Sequence, residues 1–290
     1  MTIWKAYYLA KDVQDALQAL ATAPGDARLV AGGTDLLLDL QQGRHPPVHT
    51  LVDVTQIAEM IALEMRQEEL YIGAALPLSC LVESPLVSQH AQALCEAAGL
   101  IGGPQVRNTA TLGGNVAHAL PAGDGTIALL ALNAQAVVAS QDGVRRLPVG
   151  DLFLGPGRSA LKPRQEVLVG FYLPRGKSGQ ASAHRRVMRP QGVAIAILNM
   201  AVWLERSEDE IKDIRVAVGP AGPKPLRASQ LEAFLCRKTI DKATLAQARK
   251  LLLAEAHFRT SPHRSTAVYR RHLADVLLEE TLTAAWERSF

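Results

Sequence analysis

QVRNTATLGGNVAHALPAGD, residues 105–124, sets the problem that the rest of the chain has to answer. Gly113 and Gly114 follow a threonine-bearing apolar run and lead into Asn115, with a lone acid, Asp124, further on. A bare Gly-Gly is ordinarily a turn, because glycine alone enters positive φ without a Cβ clash. The same absence of side chains lets a ligand press against main chain. A second Gly-Gly stands in AGGTDLL, Ala31 to Leu37, where a short strand runs into Thr34 and Asp35 and then into a helical pattern. Amides at the head of a helix favour anions. Alone, this loop reads more readily as a plain strand–helix turn.

The totals restrict the setting. A chain of 290 residues buries a substantial core, and 48% hydrophobic with 20% charged residues is the balance of a globular protein. The formal charge is only +3, aromatics are 4%, and the basic runs have no interleaved aromatics, so a nucleic-acid footprint is missing. The amino end, MTIWKAYYLAKDVQD, has no signal-peptide core, and VAIAILNMAVWL at 193–204 is shorter than the ~20 residues that span a bilayer. The expectation is a cytoplasmic protein without a membrane span. Cys80, Cys95 and Cys236 have no CxxC spacing and the histidines no HExxH pattern, so no metal site is expected on this chain.

Periodicity divides the chain. DVQDALQALATAPG predicts an amphipathic helix with Val13, Ala16, Leu17 and Leu20 on one face, Asp12 as N-cap and Pro24-Gly25 as stop. With strands at RLVA and TLVDVT (50–55), a helix and two strands are expected within residues 1–55. YIGAAL, AVVAS and EVLVGFYLP read as strands, LPLSCLVES, residues 88–100 and TIALLALNA as helices. PRGKSGQASA, 174–183, is the expected domain boundary. Beyond it HRRVM, VAIAILNMAVWLE and IKDIRVAVG predict a three-stranded antiparallel meander, followed by three helical stretches.

Two further motifs stand outside the Gly-Gly loops. GPGRSA, 155–160, matches the GxGxxA dinucleotide fingerprint formally, but Pro156 and Lys162-Pro163 deny it a following helix. Arg185, Arg186 and Arg189 form either a solvated strand face or a cation beside the pyrimidine edge of a reduced flavin. Asp124 is either a hydroxyl acceptor or the N-cap of the helix it precedes. Taken together, the two Gly-Gly loops outline a seat for a diphosphate and a polyol gripped from two lobes, as in flavin adenine dinucleotide (FAD).

AGGTDLL, IGGPQVRNTATLGGN with Asp124, EVLVGFYLP, the basic strand and RSTAVYRRHLADVL, in this order, resemble the FAD-binding (medium) subunits of the molybdenum hydroxylase family. The xanthine dehydrogenase and carbon monoxide dehydrogenase branches are the most similar. The resemblance implies an α+β chain: a two-lobed FAD-binding domain of the vanillyl-alcohol-oxidase (PCMH) type, residues 1–55 and 56–174, then a C-terminal α+β domain, 175–290. It implies FAD diphosphate contacts from Val30, Ala31, Gly32, Gly33, Thr34 and Asp35, completed by Thr111, Gly113, Gly114 and Asn115. Asp124 would meet ribityl or ribose hydroxyls, Ile101 and Leu168 would pack on the cofactor, and Arg185 would replace the family's lysine near the flavin, with Arg186 as the alternative. No acid–base catalytic residue is implied. The molybdenum cofactor would sit on a large partner subunit and two-iron clusters on a small one, with NAD+ or another carrier as electron acceptor. The rival reading is a flavin-free scaffold or assembly module of the same fold.

Overall fold

The computed structural model describes residues 3–189 and 195–290. The first lobe comprises β1 (Ala6–Leu9), α1 (Val13–Thr22), β2 (Ala27–Val30), α2 (Leu36–Gln41) and β3 (Thr50–Asp53), and its three strands run parallel in the order β1-β3-β2. Asp12 caps α1, its Oδ1 accepting the Asp15 amide at 2.8 Å, and Ala16, Leu17 and Leu20 are buried while Val13 is only half so. The strand β1 was not expected. AYYL carries no alternation of burial, with Tyr7 57% and Leu9 42% exposed, and it is a strand because β3 lies beside it.

The second lobe holds α3 (Ala58–Ile61), β4 (Leu63–Arg66), β5 (Glu69–Gly73), α4 (Leu78–Glu83), α5 (Pro85–His90), α6 (Gln92–Leu100), α7 (Pro104–Arg107), α8 (Leu112–Ala117) and α9 (Asp124–Ala131). It continues through β6 (Gln135–Ser140), β7 (Gly143–Pro148), β8 (Phe153–Gly155), β9 (Arg158–Ser159) and β10 (Glu166–Pro174). An antiparallel sheet, β4-β5-β10-β6-β7, centres on β10, whose EVLVGFYLP is buried almost throughout. The expected single helix over 88–100 is two, α5 and α6, parted at Ala91. Just beyond the break, the Ala93 amide donates to Ser182 Oγ at 3.0 Å, a tertiary bond that no local pattern encodes. GPGRSA forms the tight β8–β9 hairpin, with Gly157 at φ +68° and no helix after it.

The C-terminal part contains β11 (Gln180–Met188), β12 (Ala196–Ser207), β13 (Glu210–Gly219), β14 (Leu226–Arg227), α10 (Ser229–Leu235), α11 (Lys242–Glu255) and α12 (Ala267–Arg288). Its antiparallel sheet has four strands, β11-β12-β13-β14, one more than expected, because Leu226 and Arg227 pair with Val218 and Ala217. Strand β11 begins at Gln180, inside the stretch expected as the boundary, and the first residues of VAIAILNMAVWLE, Val193 and Ala194, lie outside the described residues.

Alternation along these strands gives the sheet two working faces. Met200, Val202, Val216 and Val218 join one core with Leu231, Leu252 and Leu277 of the helices. Ala201 and Ala217 point the other way and complete the core of the second lobe. Helix α9 lies between, and all eight of its residues are buried. Across the two N-terminal lobes, Arg164, itself in the left-handed region at φ +63°, donates to the Leu20, Ala21 and Ala23 carbonyls at the end of α1, at 3.1, 3.3 and 3.0 Å. Those carbonyls are the negative end of the helix, which a guanidinium complements. Among the described residues no helix is long and apolar enough to cross a membrane, and no cluster of metal-ligating side chains is present.

Candidate functional site

The first Gly-Gly loop packs on the segment that leads into the second. A Cβ built on Gly32 would lie 2.0 Å from Thr109 O and 2.8 Å from Ala110 Cα, so the first loop packs main chain to main chain on the segment entering the second. Only glycine permits that approach. Gly33 has φ +67°, which turns the chain from β2 toward α2. Among the described residues, the amides of Gly32, Gly33, Thr34 and Asp35 find no protein acceptor, and Thr34 and Asp35 are exposed. Buried or half-buried amides rarely stay unpaired without reason. Two half-buried amides without a partner, Gly32 and Gly33, followed by the open ones of Thr34 and Asp35 ahead of a helix, form a run of donors suited to an anion.

The second loop is built differently. Thr111 caps α8 by accepting the Gly114 amide on its Oγ1 at 3.1 Å, the Gly113 amide donates to Ala74 O at 2.9 Å, and the Asn115 amide donates to Thr111 O at 3.0 Å. Gly113 is glycine because a Cβ would strike Ala74 O at 2.5 Å; its role is packing on the end of β5. Gly114 is exposed and a Cβ there would meet only Thr111 Oγ1, at 3.1 Å. The two loops therefore differ in what they offer a ligand. The first presents donors, and the second presents an open, preformed surface at Gly114.

Asn115 connects this surface to Asp124. Its Oδ1 accepts the Thr126 amide at 3.3 Å and so satisfies one amide at the head of α9. Asp124 is the first residue of α9 and makes no side-chain cap; the residue before it, Gly123, occupies the N-cap position. Its carboxylate instead reaches the C-terminal sheet. Oδ2 accepts from Arg186 Nη1 at 2.7 Å, Oδ1 accepts from Asn199 Nδ2 at 2.7 Å, and His184 Nε2 stands 3.5 Å from Oδ1, too long for a formed hydrogen bond. Burial by itself would raise the Asp124 pKa, but His184, Arg186 and Asn199 together hold it below the usual aspartate range.

Arg185 lies elsewhere. Adjacent strand residues face opposite ways, so Arg186 meets Asp124 while Arg185 turns to the helical side, 3.2 Å from Glu96 Oε1 and beside His272 and Glu280 of α12. Glu96 also accepts the His184 amide at 2.7 Å and Arg288 Nη2 at 2.5 Å. Burial tends to raise its pKa, and Arg288, the His184 amide and Arg185 bring it below the ordinary glutamate value. Ile101, half-buried, follows α6 and packs against the main core, as does Leu168, 5% exposed, at the β10 bulge; Val30 is buried and Ala31 half-buried beside the first loop. His184 and Asn199 were not singled out from the sequence. Asn199, a lone amide in the apolar run AILNMAVWL, was the available signal.

Residues 3–176 match the family described as the FAD binding domain in molybdopterin dehydrogenase, and residues 183–285 match the carbon monoxide dehydrogenase flavoprotein C-terminal domain. The chain belongs to this family of FAD-binding oxidoreductase subunits. It is 30% identical to the xanthine dehydrogenase FAD-binding subunit of Escherichia coli O157:H7, over 97% of this chain and 95% of that protein. It is also 30% identical to the carbon monoxide dehydrogenase medium chain of Hydrogenophaga pseudoflava, covering 97% of each. Solved structures agree. Carbon monoxide dehydrogenase from Hydrogenophaga pseudoflava superposes with a TM-score of 0.92 at 30% identity, and quinoline 2-oxidoreductase from Pseudomonas putida 86 with 0.89 at 26%, each over 98% of both chains.

The residues present fit FAD on the chain's own terms. The unpaired amides of the first loop suit a diphosphate.

Proposed function

We propose that this chain is the FAD-carrying electron-transfer subunit of a multi-subunit molybdenum hydroxylase of the xanthine dehydrogenase type. Its electrons come from two-iron clusters on a small partner subunit, the molybdenum cofactor resides on a large one, and the final acceptor is NAD+ or another carrier. Residues 1–174, in lobes 1–55 and 56–174, form the FAD-binding part, and 175–290 the C-terminal α+β part. The observation that carries the reading is the contact of Gly32 with Thr109, which sets unpaired amides from one lobe against the segment of the other that leads to Gly114.

FAD bound here supplies a carrier that accepts electrons singly and releases them in pairs. The chain's own residues bind and orient. Gly32, Gly33, Thr34 and Asp35 donate amide hydrogens to the diphosphate, and Gly114 admits it by having no side chain. Asp124 accepts hydrogen bonds from hydroxyls of the ribityl or ribose. Ile101 and Leu168 give the apolar wall. No residue of this chain has to move a proton for substrate hydroxylation, because the organic substrate is handled by the large partner.

The test is the absorption spectrum of the purified chain after incubation with FAD, together with copurification of a large and a small partner from its native source. A flavin spectrum with both partners supports the reading. A chain that stays colourless after reconstitution would favour a scaffold of the same fold.

A further inference from the structure

Asp124 is bound almost wholly by residues from beyond the FAD-binding lobes. Its place at the head of α9 suggests a helix cap, but Asn115 Oδ1 takes the Thr126 amide and leaves the Asp124 carboxylate free for another task. The two donors that hold it are paired neighbours on the C-terminal sheet, Arg186 of β11 opposite Asn199 of β12. Each is itself fixed. Arg186 Nη2 donates to Met188 Sδ at 2.9 Å, and Asn199 Nδ2 also donates to Ala122 O at 3.2 Å. The side chains of Arg186 and Asp124 are 5% and 7% exposed, so the pair is buried and its geometry is not averaged by water.

A carboxylate offers about four lone-pair sites, and the two short bonds, one to each oxygen, leave acceptor capacity on both. Charge-assisted bonds of 2.7 Å define which way those remaining lone pairs point. We propose that Arg186 and Asn199 are positioning residues that hold the Asp124 carboxylate in the orientation that meets the cofactor's polyol hydroxyls, so that the C-terminal domain governs how tightly FAD is retained on the N-terminal lobes. The inference rests on the FAD reading above and adds a requirement to it: a binding site whose selectivity-bearing acid is set by a different domain. Among the described residues, the groups at the Asp124 carboxylate are Arg186 and His184 from β11 and Asn199 from β12. Arg186 is therefore the fixed cation of the set.

The experiment measures FAD dissociation by quenching of flavin fluorescence, using the full chain, from mildly acid to neutral pH. Arg186→Met is expected to weaken FAD about tenfold or more, the scale of a lost charge-assisted hydrogen bond. Its affinity should also fall off at a higher pH than in the wild type, because Asp124 without its cation takes up a proton sooner. Arg186→Lys should restore the wild-type pH profile, which a purely structural role would not predict. Asp124→Asn should weaken FAD, and adding Arg186→Met to it should bring no further loss on acidification and cost far less than Arg186→Met alone. If Arg186→Met does not fold, Asn199→Ala carries the test and must weaken FAD in the same sense. Wild-type affinity and pH profile in Arg186→Met, or wild-type affinity in Asn199→Ala, would overturn the positioning role while Asp124→Asn still weakens FAD. An unchanged dissociation constant in Asp124→Asn would instead remove Asp124 from the FAD site.

Discussion

Replacing Gly32 by alanine drives a methyl group into the backbone of the neighbouring lobe. The new Cβ would lie 2.0 Å from Thr109 O, 2.6 Å from Thr109 C and 2.8 Å from Ala110 Cα. Ordinary contacts are about 3.5 Å, so the lobes must part by more than about 1 Å at this point. Nothing flexible can yield. Thr109 and Ala110 are held by their amides on Val106 O at 3.1 and 2.7 Å, and Ala110 O accepts the Leu78 amide at 2.9 Å. Overpacking of this kind costs about 1–3 kcal/mol, which for a chain of this size lowers Tm by roughly 2–5 °C. The displaced loop also carries the unpaired amides, and misplacement near 1 Å costs about two orders of magnitude in a well-oriented site. FAD affinity should fall at least tenfold. Differential scanning fluorimetry with and without FAD, and a flavin titration, read both effects. Gly114→Ala is the control, since its Cβ meets only Thr111 Oγ1 and Tm should hardly move. Gly32→Ala with the wild-type Tm and the wild-type FAD dissociation constant would refute the close approach of Gly32 to Thr109 and Ala110.

Gly114→Val should abolish FAD retention while Tm stays near wild type, because the added side chain stands in the open surface rather than in the protein; undiminished flavin content after gel filtration would count against it. Arg164→Ala removes three bonds to the end of α1 and should destabilise by about 1–3 kcal/mol in denaturant titration. Acid sensitivity follows from Glu96. A carboxylate whose folded pKa is depressed stabilises the protein above its unfolded pKa, and that contribution is lost as pH falls through the folded value. Glu96→Gln is thus expected to be less stable than wild type at neutral pH and to lose less on acidification, a difference visible in Tm measured against pH.

Much of the interior was legible in the sequence. EVLVGFYLP is an unbroken apolar run and became the central strand β10; the spacing of Ala16, Leu17 and Leu20 gave the buried face of α1. What escaped were elements at sheet edges. The strand β7, GVRRLP, is exposed at nearly every position, and β4 is half-buried, so neither carries an apolar alternation. They are strands because a partner pairs with them, and arginines there find distant acids: Arg145 with Glu166 and Arg146 with Glu69. Around the site, the loops were readable as glycine pairs, but not how their amides are spent, since Ala74 lies far from Gly113 in sequence. Arg185 and Arg186 illustrate the limit most plainly. Their chemistry is identical on paper, and only the phase of the strand decides which one reaches Asp124.

Because α9 is walled on one side by the second lobe and on the other by Ala201 and Ala217, the linker between the two parts is not a line along which the molecule can be divided. Nicking the chain after Lys177 should leave the fragments associated, whereas expressing residues 1–174 alone should strip a greasy helix of half its cover and yield an insoluble product.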